Sequence, residues 1–187
     1  MIRAFLAIDL PASLRPVLSR AQEELKKSGA DVKWVPPGNI HLTLKFFGNI
    51  TEPQVEAISQ AAARVAAGQV PFTLTLTGAG AFPSPKNPRV VWLGVGGDLN
   101  VIRDFHRRLE TAFVELGFPP EDRPFAPHLT LGRVRSPRGR LVLVHCLTQL
   151  PPPSETAAFL VQEIILFRSN LSPQGATYLP LKIIPLG

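Results

Sequence analysis

The tetrapeptide His-Leu-Thr-Leu occurs twice in this chain, at His41–Leu44 and again at His128–Leu131, 87 residues further on. A repeat at a fixed offset asks for two copies of one supersecondary unit, and so restricts the fold more than composition does. The same offset carries Phe5 onto Trp92, Ile8 onto Val95, Leu14 onto Val101, Leu18 onto Phe105 and Val55 onto Val142. Strand falls on strand and helix on helix, and each half reads strand, helix, motif strand, helix, strand. Helices need a sheet face to cover. The pattern therefore predicts an α+β, bilobal fold with pseudo-two-fold symmetry. Each lobe is an antiparallel sheet backed by helices, and the motif strands line a central cleft. Residues 1–187 are expected to form a single domain of two interleaved lobes.

The element boundaries come from periodicity and punctuation. A strand is predicted at 2–8, then a helix over 12–28 that Pro11 starts and Gly29 ends. A strand at 41–47 precedes a helix to 67 with Thr51 as its N-cap. Residues 70–79 alternate as a strand, with Phe72, Leu74 and Leu76 on one face and Thr73, Thr75 and Thr77 on the other. Residues 82–88, rich in proline, read as a loop. A strand at 89–95, a helix over 98–116 closed by Gly117 and a strand at 128–134 follow. Residues 139–149 read as a helix, although Leu141–Val144 suits a strand equally well. Two long strands, at 156–169 and 176–185, end the pattern around the turn Ser172–Gly175.

In a strand, alternate side chains share a face. His41 and Thr43 therefore stand together, with Leu42, Leu44 and Phe46 directed to the core, and His128 and Thr130 repeat the arrangement. Two sheets meeting at a cleft would converge two imidazoles and two hydroxyls. That set suits phosphodiester cleavage. A neutral imidazole takes a proton from water and a protonated one gives a proton to the departing sugar oxygen, both forms coexisting near the reference pKa of about 6.5. Threonine hydroxyls can donate to the non-bridging phosphate oxygens. No H-E-x-x-H or paired C-x-x-C grouping is present, so neither a metal nor any other cofactor is expected.

Composition agrees with a polyanionic partner. The formal net charge is +6, and the 45% hydrophobic fraction is enough to build a core. Cys146 is the single cysteine, which rules out an internal disulfide and fits a cytoplasmic location. The apolar run after Met1 is cut short by Asp9 and Pro11, and no run approaches the roughly 20 apolar residues of a membrane helix, so no membrane partner is expected.

Several other residues are candidates. Lys45 shares the His41 face by parity and is either an RNA-backbone contact or a plain surface lysine. Phe46, Phe82, Phe125 and Trp34 flank the motifs, and one of them is a candidate to stack on a terminal base. Arg133, Arg135, Arg138 and Arg140 form either a track for RNA phosphates or a solvated loop. His106, beside Arg107 and Arg108, is expected to be exposed. His145 and Cys146 are adjacent and point apart, so no thiol–imidazole pair is expected.

At these residues the chain resembles the 2H phosphoesterase superfamily, named for its two H-x-T/S-x motifs, and within it the bacterial and archaeal RNA 2′,3′-cyclic phosphodiesterases, also called 2′-5′ RNA ligases. The resemblance runs from Arg3–Ile8 through Trp34–Pro36, His41–Gly48, Phe82–Pro83, Pro88–Gly94 and Phe125–Arg133 to Gly175–Tyr178. It implies a bilobal α+β fold and hydrolysis of a terminal 2′,3′-cyclic phosphate to a 2′-phosphate. It also implies that His41 is the proton donor to the leaving 3′ oxygen, that His128 activates water, and that Arg133 contacts the phosphate. The two motifs are nearly identical, so the sequence alone does not order the histidines. Strict alternation puts Arg133 on the face opposite His128, and a bulge at Gly132 would restore the parity. The implied partner is RNA with 2′,3′-cyclic phosphate ends, tRNA fragments being one candidate class, bound by a monomer. The reverse reaction would join RNA ends through a 2′-5′ bond. The alternatives are a relative acting on another nucleotide or a 2′-5′ oligonucleotide, and a non-catalytic nucleotide binder.

Overall fold

The computed structural model describes residues 1–154 and 157–187. The chain runs β1 (Ile2–Asp9), α1 (Arg15–Lys26), β2 (Val32–Trp34), β3 (His41–Ile50), α2 (Glu52–Ala67), β4 (Phe72–Ser84), β5 (Asn87–Gly97), α3 (Leu99–Val114), β6 (His128–Val134), α4 (Arg140–Gln149), β7 (Ala158–Val161), β8 (Glu163–Ser172) and β9 (Gly175–Pro185). Two sheets form, ordered β3-β1-β8-β9 and β2-β6-β5-β4-β7, with antiparallel pairing throughout. The first sheet joins strands from both ends of the chain.

Alternation divides each sheet into a helix face and a cleft face. Ala4, Leu6 and Ile8 of β1, Leu42 and Leu44 of β3, and Leu129 and Leu131 of β6 join the main core under the helices. Phe5 and Ala7 point the other way and pack with Ile165, Phe167 and Tyr178 in a small cluster of their own. Residues 4–8 of β1 are apolar without interruption because both faces of the strand are covered there. The helices also pair across the repeat: α2 packs on α3, and α1 on α4. The expected N-cap Thr51 is present, with Gln54 completing a capping box.

Four expectations need correction. Residues 82–88 are not a loop but the end of the β4–β5 hairpin, with Phe82 opposite Val90 and Ser84 opposite Asn87. Its prolines sit where a register shift and the hairpin end relax the demand for ladder donors. The strand expected at 156–169 is two strands: β7 pairs with β4, β8 pairs with β1, and the chain passes between sheets at Gln162. Residue 156 itself lies outside the described residues. β2 was not foreseen, since three residues are too few to show alternation. His106 is 9% exposed rather than on the surface.

The largest departure from simple parity lies in the motif strands. On β1, Ala7 pairs with Thr43 and Leu6 with Lys45, so Leu44 is an extra residue. On β5, Trp92 pairs with Thr130 and Val91 with Gly132, so Leu131 is extra. These two bulges are repeat mates. Each bulge is braced by a helix from the opposite half: His106 Nε2 of α3 donates to Leu44 O at 3.0 Å, and Gln22 Nε2 of α1 donates at 3.0 Å to Leu131 O, which also accepts from Val35 N at 2.9 Å. Beyond each bulge the faces exchange. Lys45, placed on the His41 face by parity, is therefore turned into the interior. It is 5% exposed, 3.0 Å from Glu110 Oε1, and donates to Pro119 O at 2.6 Å. Lys45 cannot contact RNA from there. Phe46, assigned to the core by the same parity, emerges on the cleft face at 42% exposure.

Removing one member of a buried ion pair leaves the other charged and unsatisfied. Glu110→Ala is expected to lower the unfolding free energy by about 3 kcal/mol in urea titrations, and Lys45→Met with Glu110→Leu to recover most of that loss.

Candidate active site

Each motif histidine is oriented by the same backbone device. His41 Nδ1 lies 2.8 Å from Asn39 O, and His128 Nδ1 lies 2.7 Å from Ala126 O. A carbonyl oxygen can only accept, so Nδ1 carries the proton in both rings and Nε2 is left as the reactive nitrogen. Asn39 closes a 3-10 turn over Pro37–Asn39, and its side chain donates to Ala176 O at 2.9 Å, which ties the anchor of His41 to the start of β9.

The packing around the rings differs. His41 stacks on Phe5 at 4.7 Å between centroids, 26° from parallel, and meets the edge of Tyr178 at 5.3 Å. His128 meets Phe82 edge-on at 4.9 Å and lies 6.5 Å from Trp92. Phe5 and Trp92 are repeat mates, so each half supplies its histidine with an aromatic neighbour from the same strand position. The Trp92 indole lies across Gly80, where a Cβ would come within 2.3 Å of the ring; only glycine leaves that space. Burial holds the His41 pKa below the usual histidine value, a desolvation effect only partly offset by the bond to Asn39 and by the Asp9 carboxylate across the strand pair. Burial raises the Tyr178 pKa, although Arg133 and Arg3 pull it down, so the phenol keeps its proton.

His41, Thr43, Phe46, His128, Thr130 and Arg133 all line one groove of about 430 Å³. Neither threonine hydroxyl has a hydrogen-bond partner among the described residues, so both are available to a ligand. The parity obstacle to Arg133 is removed by a bulge, with Leu131 rather than Gly132 as the extra residue. Phe46 lies under the Arg3 guanidinium, 4.5 Å from ring centroid to Cζ. Of the basic run, only Arg133 reaches the groove. Arg135 and Arg138 face Asp31 at 3.1 and 3.9 Å, and Arg140 is directed at Asn87. Of the flanking aromatics, Trp34 borders the groove, Phe82 backs His128, and Phe125 is turned inward, stacked on His106 at 3.9 Å.

Sequence reasoning assigned no role to Phe5, Tyr178, Arg3 or Lys33, which also line the groove. The offset match of Phe5 with Trp92 was the available signal for the aromatic pair, and Tyr178 is the only tyrosine in the chain. Among the described residues, no three His, Cys, Asp or Glu side chains come together as they would around a metal ion. Among the same residues, no helix is long and apolar enough to cross a membrane.

A family model described as LigT-like phosphoesterase matches residues 8–92 and 98–178. The chain belongs to the LigT-like phosphoesterases. It is 42% identical over 185 residues to a protein of Methanothermobacter thermautotrophicus named RNA 2′,3′-cyclic phosphodiesterase, covering 99% of each chain. It is 35% identical over 161 residues to a protein of the same name from Aeropyrum pernix, covering 86% of this chain and 90% of that one. Among solved structures, E. coli LigT complexed with 3′-AMP superposes with a TM-score of 0.80 at 31% identity, covering 99% of this chain and 98% of that one. TT0787 of Thermus thermophilus superposes with a TM-score of 0.82 at 30% identity, with the same coverage. The bilobal fold is thus that of a LigT-like phosphoesterase.

Desolvation favours a neutral His41, and an anion in the groove favours the charged ring. NMR titration of the His41 Cε1–H signal is expected to show a midpoint below about 6.5 in the free protein and a rise when inorganic phosphate binds. A midpoint at or above the ordinary histidine value would contradict the burial argument.

Proposed function

We propose that this phosphoesterase hydrolyses 2′,3′-cyclic phosphate ends of RNA to 2′-phosphomonoesters without a metal ion. The observation that carries the reading is the pair of identically anchored imidazoles in one groove that holds Arg3, Lys33 and Arg133; among the described residues neither Nε2 has a partner and no carboxylate lines the groove. The names of the relatives support the same substrate.

The proton inventory closes on the two rings. His128 Nε2 takes a proton from water as the water oxygen bonds to phosphorus. The bond from phosphorus to O3′ breaks, and His41 Nε2–H delivers a proton to that oxygen. The products are a 2′-phosphomonoester and a 3′ hydroxyl. Thr43, Thr130 and Arg133 donate to the non-bridging oxygens, where charge accumulates. The order of the histidines follows the family resemblance, and burial agrees with it: a ring that holds its proton weakly is the stronger acid, and the bound phosphate supplies the charge that loads it. Run in reverse, with the 5′ hydroxyl of a second RNA in place of water, the same groove would form a 2′-5′ linkage.

An oligonucleotide with a 2′,3′-cyclic end, incubated in EDTA and resolved by chromatography, is expected to yield the 2′-phosphate. His41→Ala and His128→Ala should each reduce kcat by about 10²- to 10⁴-fold. An aryl phosphodiester separates the roles, because a nitrophenolate departs without protonation. His41→Ala should lose far less activity on that substrate than His128→Ala does. Full activity of His128→Ala on the RNA end, or loss of activity in chelator, would refute the reading.

A further inference from the structure

Lys33 and Arg133 are direct cross-strand partners on β2 and β6. Partners in an antiparallel pair project from the same face, with Cβ atoms about 4.5–5.5 Å apart, and like charges there repel. Both side chains are exposed and both line the groove. Among the described residues neither has a carboxylate partner. The nearby acid, Asp31, is taken by Arg135 and Arg138. Among the described residues no Asp or Glu lines the groove. The reacting cyclic phosphate is a diester with a single negative charge, and Thr43, Thr130 and Arg133 already serve it. Lys33 is therefore a second cation with no protein counter-charge, set beside the site where the first anion binds.

We propose that Lys33 forms a second phosphate subsite, which holds the internucleotide phosphate on the 5′ side of the terminal nucleotide. This inference rests on the proposed function. In an RNA end carrying a 2′,3′-cyclic phosphate, the 5′ linkage is the only other anion on the terminal residue, so a cation flanking the reacting phosphate on the same sheet face meets that phosphate. An anion between Lys33 and Arg133 turns a repulsive pair into a clamp. The subsite makes the groove select polynucleotide ends over free cyclic mononucleotides.

The test compares two substrates: a nucleoside 2′,3′-cyclic phosphate with a free 5′ hydroxyl, and the same nucleoside carrying a 5′-methyl phosphodiester, which reproduces the charge of the internucleotide link. Wild-type kcat/KM is expected to favour the second by about tenfold at low salt, equivalent to one charge-assisted contact. The ratio should fall to about one in Lys33→Ala, stay near its wild-type value in Lys33→Arg, and drop below one in Lys33→Glu. It should also fall with rising salt, because the contact is solvent-exposed. A ratio that Lys33→Ala leaves unchanged would overturn the subsite, whether both substrates slow together or neither does. A wild-type enzyme that turns over neither substrate would refute the proposed function instead, and the two failures are read separately.

Discussion

Each motif strand carries one residue more than the neighbour it pairs with, and the position of that residue decides which side chains reach the groove. Leu44 and Leu131 are the extra residues. Without the first bulge, Lys45 would face the cleft and Phe46 the core; without the second, Arg133 would point under the helices. A bulge disturbs the ladder, and a buried carbonyl there needs a donor. His106 is the donor to Leu44 O, while Leu131 O accepts from Val35 N and gains Gln22 as a second donor; both side chains come from a helix of the other half. The crossed arrangement means that neither motif strand is shaped by its own half alone. The Lys45–Glu110 pair, whose carboxylate also accepts from Glu121 N, fastens the same bulge to the segment leading into β6. His106 adds a face-to-face contact with Phe125, one residue before the carbonyl that orients His128.

On this nearly symmetric frame, small departures from symmetry distinguish the two histidines. Their backbone anchors are equivalent, and so are the strand positions of Phe5 and Trp92. The enclosure differs: Phe5 lies flat against His41 and Tyr178 closes over its edge, whereas Phe82 and Trp92 leave His128 less confined. Desolvation therefore acts on His41. The positions just beyond the bulges diverge as well, with phenylalanine at 46 and arginine at 133. One half offers an aromatic face under Arg3 and the other a guanidinium beside Lys33. A repeated frame thus gives a groove whose two sides differ in enclosure and in charge.

The repeat made most of this architecture legible before any coordinates. The offset between His41 and His128 aligned β1 with β5, α1 with α3 and β3 with β6, and the two-sheet arrangement followed. What stayed hidden has physical causes. Parity arithmetic fails wherever a strand gains a residue, and Leu44 looks like any other strand leucine; that is why Lys45 and Phe46 were assigned to each other's faces. For Arg133 the resemblance supplied a demand for the cleft face, so a bulge was sought and lay one residue from its expected place. β2 is too short to show a period, and the run from 158 to 172 has no turn residue at Gln162 to mark its passage between sheets. α4 buries only Leu143 and Leu147 and leaves Leu141 exposed, so its sequence could not exclude a strand. Lys33 had no signal because its meaning comes from the strand opposite.

The account rests on two Nε2 atoms serving one phosphorus. The most direct measurement is a crystal structure of the protein with a nucleoside 2′-phosphate bound. The prediction is that His41 Nε2 and His128 Nε2 both lie within about 3.2 Å of oxygens on the same phosphorus or of the 3′ hydroxyl beside it, with both threonine hydroxyls turned toward that group. A nucleotide whose phosphate meets only one imidazole while the other ring faces solvent or base would contradict the account.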